Sequence, residues 1–232
     1  MVHDIQQMAI ERDVPNIARV STTFYKPVPV GTNLRVVTSP LRDGPKASHI
    51  QAQLYNEETG KETMRMFAVC LRKETISNVP PVPLAAQPDR PPFSSEPPFQ
   101  FPSYVFSTEQ SYGSAMEIRH VEGAWSEGPT TFWFRPRIDL VEGEKMSGLE
   151  RLVTVGNSAG GISFYVEMLT HSFVNADLNV NIIRPPNGDW ICMKARTILN
   201  PELGSGVATS ELFDERGIVA IGSQTLLLQN RR

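Results

Sequence analysis

Only two cysteines, four histidines and no long apolar run occur in these 232 residues, and each shortage closes off a class of function. Cys70 and Cys192 stand alone inside apolar stretches with no CxxC spacing, which excludes a zinc ribbon or a dithiol redox pair. They read as reduced core thiols, as in a cytosolic protein. His3, His49, His120 and His171 are scattered and make no metal-ligand spacing. Positive charge is also short: 22 Lys and Arg against 25 Asp and Glu leave a formal charge of −3. Such a chain has no electrostatic reason to hold phosphate backbones, so nucleic acid is not an expected partner. No apolar stretch approaches the roughly 20 residues of a membrane span. The N-terminus carries Asp4 and Gln6 where a secretory signal needs an unbroken apolar segment. The final Asn230-Arg231-Arg232 is not a peroxisomal address. The expectation is a cytoplasmic protein.

Proline is plentiful. Nine of the 19 prolines fall between Pro80 and Pro102, a density that removes backbone donors and favours extended chain. The reading is a Pro-rich linker over 75–102 between a first unit, 1–74, and a second, 103–232. Phe93, Phe99 and Phe101 suggest that the linker packs on the surface. An SH3 or WW ligand is the rival reading of the same prolines.

Both sides of the linker read as mainly β. Residues 17–26, 33–41, 47–55 and 62–72 are rich in β-branched and aromatic residues and separated by turn signals such as Arg42-Asp43-Gly44. The second unit repeats this at 115–122, 130–138, 172–184, 189–198, 206–213 and 217–228. Ser147 is placed to cap a helix over 148–155, and a second helix is expected from Asp4 to Arg12.

The units look like copies. Tyr25-Lys26-Pro27 and Leu54-Tyr55 match Ile183-Arg184-Pro185 and Leu212-Phe213 at one offset, 158 positions. Each later pair leads to a turn ending in glycine, Gly60 or Gly217, and then to a last apolar strand. Long antiparallel hairpins and one helix per copy indicate an α+β class. The first copy has only 26 residues before Pro27; either it lacks its opening strand and part of its helix, or the chain begins inside a longer gene product.

Several segments in this order resemble the acyl-CoA thioesterase family, a thioesterase-like superfamily with a double hotdog fold. They are Thr22–Gly31, Leu41–Gly44, Met116–Arg119, Trp133-Phe134-Arg135, Gly156–Ile162, Phe173–Leu178, Arg184-Pro185-Pro186, Gly188-Asp189-Trp190 and Gly222–Leu226. The resemblance, to the TesB-like thioesterase II enzymes, implies two helix-wrapped antiparallel sheets in tandem, the first unit N-terminally truncated. It implies hydrolysis of an acyl-CoA or related acyl thioester and a place in lipid metabolism. The CoA moiety belongs to the substrate, no metal or other cofactor is implied, and a homo-oligomer is left open. In that family an acid at the central helix, a Thr or Asn on a strand and a Gln on the last strand hold a water. By motif position these fall on Asn157, Asn175 and Gln224, with Gly160 and Gly161 lining the thioester pocket.

The acid position thus holds an amide, which cannot take up a proton near neutral pH. Weak hydrolysis is therefore the primary expectation. Asp177, placed by strand alternation on the same face as Asn175, is a candidate substitute base, and His171 a candidate for the pocket. The alternative is a protein that binds an acyl or polyketide-like ligand without hydrolysing it, or steers its cyclisation in a biosynthetic pathway. Aligning Gly60 with Gly217 sets Phe67 opposite Gln224, so the site is expected in the second copy only. A hotdog hydratase would need a His along the central helix, and none lies near 147–162.

Gly156-Asn157-Ser158-Ala159-Gly160 also matches the G-x-S-x-G nucleophile elbow. That fold requires an acid and then a histidine after the serine, yet His171 precedes every later aspartate. A turn ending a helix is the preferred reading. Phe164 and Tyr165 are candidates for lining an acyl tunnel, with plain packing the simpler account. Trp125, Trp133 and Trp190 read as core or sheet anchors.

Overall fold

Alternation of buried and exposed residues, such as Ile50, Ala52 against their polar neighbours, builds long strands that must hide one face. In the computed structural model, which describes residues 1–80, 88, 97–105 and 111–231, these strands join one curved antiparallel sheet. The first part of the chain supplies α1 (Val2–Glu11), β1 (Asn16–Phe24), β2 (Leu34–Arg42), β3 (Ala47–Asn56) and β4 (Glu62–Leu71). Beyond the prolines come α2 (Tyr112–Ala115), β5 (Met116–Glu122), β6 (Thr130–Pro136), α3 (Gly148–Gly156) and α4 (Ala159–Ser163). β7 (His171–Asn175), β8 (Asp177–Ile182), β9 (Ile191–Asn200), β10 (Ser205–Asp214) and β11 (Gly217–Asn230) complete it. The spatial order is β2-β3-β4-β1-β8-β11-β10-β9-β6-β5, with β7 also paired to β11. The two lobes therefore meet edge to edge, Val20 of β1 opposite Val180 of β8. Pro81, Pro83, Pro91, Pro92 and Phe93 of the expected linker lie outside the described residues.

Each lobe wraps its sheet round a helix. Ser147 accepts from the Glu150 N–H while Glu150 accepts from the Ser147 N–H, so α3 opens on a complete capping box. Leu152 and Val155 then recur on the buried face, each fully removed from water and worth about 1.5–3 kcal/mol. The Ser147 hydroxyl also donates to Gln6 of α1 at 2.9 Å, tying the two helices together. α1 buries Ile5 and Ala9 against a first-lobe core of Ile17, Val20, Ile50, Met66 and Cys70. Toward the end of the prolines, Phe99 donates its N–H to the Ile118 carbonyl and sets its ring at a tilt against Phe132. Both cysteines are buried and unpaired, and burial pushes the Cys70 thiol up to about 11.

A smaller core occupies the sheet face turned away from the helices, where Trp133, Trp190, Cys192, Phe213 and Ile218 meet. At its end lies Asp214, wholly buried. It accepts two hydrogen bonds from Arg184, at 2.7 and 2.6 Å, and one each from the Asn187 and Arg216 N–H groups. The Arg184-Pro185 match between the copies is thus a structural clamp in the second lobe.

Two expectations need correction. The segment 172–184 is not one strand: Asn175 pairs with Leu226 but Asn179 with Ser223, so Ala176 is an extra residue, a β-bulge separating β7 from β8. The copies also slip out of step at their last hairpins. Phe213 pairs with Ile218, five positions on, whereas Tyr55 pairs with Glu62, seven positions on. The longer turn of the first lobe moves Phe67 to the outer face, and Ala68, buried under α1, occupies the place of Gln224. The residue there is still apolar.

Candidate functional site

The central helix of the second lobe stops where its last residue, Gly156, gives way to Asn157, and α4 restarts two residues later. The G-x-S-x-G segment therefore joins helix to helix, not strand to helix as a nucleophile elbow requires. The break leaves the Asn157 carbonyl turned toward the sheet. β11 presents Gln224 there, 1% exposed, and β7 presents Asn175. The Gln224 NH2 group donates to the Asn157 main-chain oxygen at 2.9 Å and to its Oδ1 at 3.0 Å. The Asn175 NH2 group donates to the same two oxygens at 3.2 and 3.1 Å. The Gly160 N–H donates to Gln224 Oε1 at 3.0 Å. The three amides named from the sequence are thus brought into direct contact.

Gly160 lets α4 lie close to β11. A Cβ there would press to 3.1 Å on the Leu226 side chain and stand 3.5 Å from Asn175 Oδ1, so even an alanine would make Leu226 give by a few tenths of an ångström. Gly161 is different: a Cβ there would enter open space. Its carbonyl accepts from the Trp125 indole N–H at 3.1 Å, and Trp125 in turn packs edge-on against Phe164. Trp125 is half-buried, a wall beside the turn and not a core anchor like Trp133 and Trp190.

Asp177 does not join the cluster. The Ala176 bulge turns it to the opposite face from Asn175, correcting the shared face expected from alternation. Its Oδ1 accepts from the Thr225 N–H at 2.7 Å, and its other oxygen from the Thr225 hydroxyl and Asn179. His171 is also apart. It sits at the far end of β7, opposite Asn230, with its Nδ1 against the Thr170 hydroxyl. Tyr165 points away as well, its hydroxyl accepting from the Leu199 N–H.

Among the described residues, no carboxylate bonds to any of the three amides. Two functional groups remain unspent: Asn157 Nδ2, which carries two donors, and Asn175 Oδ1, an acceptor. Sequence reading missed one neighbour. Ser158 donates to the Tyr112 hydroxyl at 2.6 Å, and α2, four residues long, is too short to leave a periodic signal. Hollows among the described residues lie elsewhere. One of about 550 Å³ is lined by Glu122, Thr131, Lys194, Arg196, Thr209 and Glu211. The other, of about 510 Å³, lies around Glu117, Arg135, Arg137, Lys145 and Arg151. Neither contains the amides. No described helix is long and apolar enough to cross a membrane.

The profile of an acyl-CoA thioesterase N-terminal domain matches residues 2–71, and that of an acyl-CoA thioesterase C-terminal domain matches residues 83–228. No curated protein matches the sequence. Among solved structures, the acyl-CoA thioesterase II TesB2 of Mycobacterium marinum is similar at a TM-score of 0.68 and 15% identity, over 93% of this chain and 81% of that one. The tesB protein of Mycobacterium avium subs paratuberculosis is similar at 0.66 and 13%, over 98% and 86%. A conserved protein of unknown function with a hot dog fold from Alicyclobacillus acidocaldarius is similar at 0.67 and 15%, over 94% and 80%. At such identities the likenesses speak for the fold alone, a double hotdog. The two profiles, in order over both halves, show that this chain belongs to the acyl-CoA thioesterase family, a membership that supports thioester hydrolysis in general.

Proposed function

We propose that the protein hydrolyses an acyl-CoA or related acyl thioester slowly, at a water held by the amides of its second lobe. The observation that carries this is the convergence of Asn175 and Gln224 on one oxygen of Asn157. That arrangement leaves Asn157 Nδ2 and Asn175 Oδ1 free to hold the water, the first donating to its oxygen and the second accepting one of its protons. The water oxygen adds to the thioester carbon, the carbon–sulfur bond breaks, and the leaving thiolate takes up a proton as the free acid forms. Asn157 is no base at neutral pH, so the reading supplies orientation and hydrogen bonding without proton abstraction. Gly160 serves the site through Gln224 and Gly161 through its open flank. The division at 75–102 leaves this site wholly within the second unit.

Removing Gln224 tests the location. Gln224→Ala deletes both donors to Asn157 and strands the Gly160 N–H, so thiol release from a panel of acyl-CoAs of varied chain length is expected to fall about tenfold, with some loss of stability. Turnover unchanged in that variant would put the site elsewhere. The amide at the base position favours one second reading: binding or cyclisation of an acyl or polyketide-like ligand without hydrolysis. Its signature is tight ligand binding with no thiol release in the parent protein.

A further inference from the structure

Ser158 is the one polar side chain of the glycine-rich turn that the amide cluster does not use. Its hydroxyl donates to Tyr112 Oη at 2.6 Å, joining the turn to α2, whose own cap is Ser111. A phenol has one proton to give besides the lone pairs it offers. With Ser158 as the donor, the Tyr112 proton has no acceptor among the described residues. Tyr112 is half-buried against the second-lobe core, where an unspent donor costs about 1–3 kcal/mol unless a ligand or water takes it. Burial pushes its pKa up to about 12, outweighing the opposite pull of the Ser158 bond, so the proton stays in place throughout the neutral range.

The amide cluster can hold a water, but none of its groups is assigned to the charge that grows on the thioester oxygen. An unspent donor fixed by the residue next to Asn157 fits that need. We infer that Tyr112 is a further catalytic residue, its hydroxyl donating to the thioester carbonyl oxygen, with Ser158 as the positioning residue that anchors it. As the water oxygen bonds to the carbonyl carbon, the C=O π pair moves onto the oxygen facing Tyr112, and the phenol keeps its proton. Collapse re-forms C=O and expels the thiolate, which takes up the proton that the added water gives up. This rests on the hydrolytic reading above and adds the donor that it lacks.

The test compares Tyr112→Phe in the parent and in an Asn157→Asp background, with melting temperature as the control for folding. Thiol release in the Asn157→Asp background is expected to fall about 10²-fold on adding Tyr112→Phe, through kcat and not KM. Ser158→Ala is expected to cost about tenfold in kcat, with Ser158→Thr restoring it, which a purely structural serine would not show. A binding arm uses two unreactive acyl-CoA analogues. The ketone, with CH2 in place of sulfur, keeps the carbonyl; the thioether lacks it. Tyr112→Phe should weaken the ketone about tenfold and leave the thioether unchanged. Equal turnover and equal ketone binding with and without the hydroxyl would overturn the inference while leaving the hydrolytic reading intact. No thiol release from the Asn157→Asp protein, with the ketone preference still lost in Tyr112→Phe, would overturn hydrolysis and keep the carbonyl contact.

Discussion

Asn157→Asp is expected to raise acyl-CoA hydrolysis by about 10² to 10⁴-fold, the usual contribution of a general base. The hydrogen-bond donors around residue 157 would suit a carboxylate. Two NH2 groups, from Asn175 and Gln224, point at a single side-chain oxygen of residue 157. A carboxylate would accept both donors on that oxygen and place its second oxygen where Nδ2 now stands, facing the water. The same donors stabilise the charged form and hold the new group's pKa below the usual carboxylate range. The gain should therefore be complete at neutral pH and vanish as pH falls through that depressed pKa. The shape is nearly unchanged, so the melting temperature should stay close to the parent's. Thiol release across pH 4 to 8 in both proteins checks this. No gain at any pH would mean that residue 157 does not stand where the attacking water is activated.

Asp214→Ala is expected to destabilise the protein by about 3–5 kcal/mol, because it removes both charged bonds of Arg184 and strands the Asn187 and Arg216 N–H groups. At about 2–4 °C per kcal/mol for a chain of this size, the melting temperature should drop by about 6–20 °C. The pH dependence carries a sign. Burial works to raise the Asp214 pKa, but the Arg184 bonds and the Asn187 and Arg216 N–H groups outweigh it and hold it below its ordinary 3.8. A depressed carboxylate stabilises the folded state above its unfolded pKa and loses that contribution as pH falls through the folded one. The gap between parent and variant should therefore be full at pH 6 to 7 and narrow below about pH 4. The amides are remote from this clamp, so catalysis by the protein that remains folded should be unaffected.

How much of this could be read from the sequence follows from the physics of each signal. Long strands alternate, so β1 to β6 and β9 to β11 were legible, as was α3 from Ser147 and its apolar spacing. The Ala176 bulge was not, because one extra residue changes no composition, yet it decides that Asn175 faces the helix and Asp177 does not. The slip between copies was hidden for a similar reason: turn length varies without disturbing the strands, and aligning the turn glycines put Phe67 where Ala68 belongs. α2 and α4, at four and five residues, are too short for any period to emerge. The three amides were legible only through resemblance, since their spacing along the chain, 157, 175 and 224, carries no local pattern. The Tyr112–Ser158 pair joins residues 46 apart and needed coordinates.

The most direct test of the amide site is the ¹⁵N spectrum of the side-chain NH2 groups as an unreactive acyl-CoA ketone is titrated in. The account predicts that the largest shifts belong to Asn157, Asn175 and Gln224, and that Gln224→Ala weakens them together. Shifts confined to residues around Lys194 and Arg196, with these three amides unmoved, would contradict it.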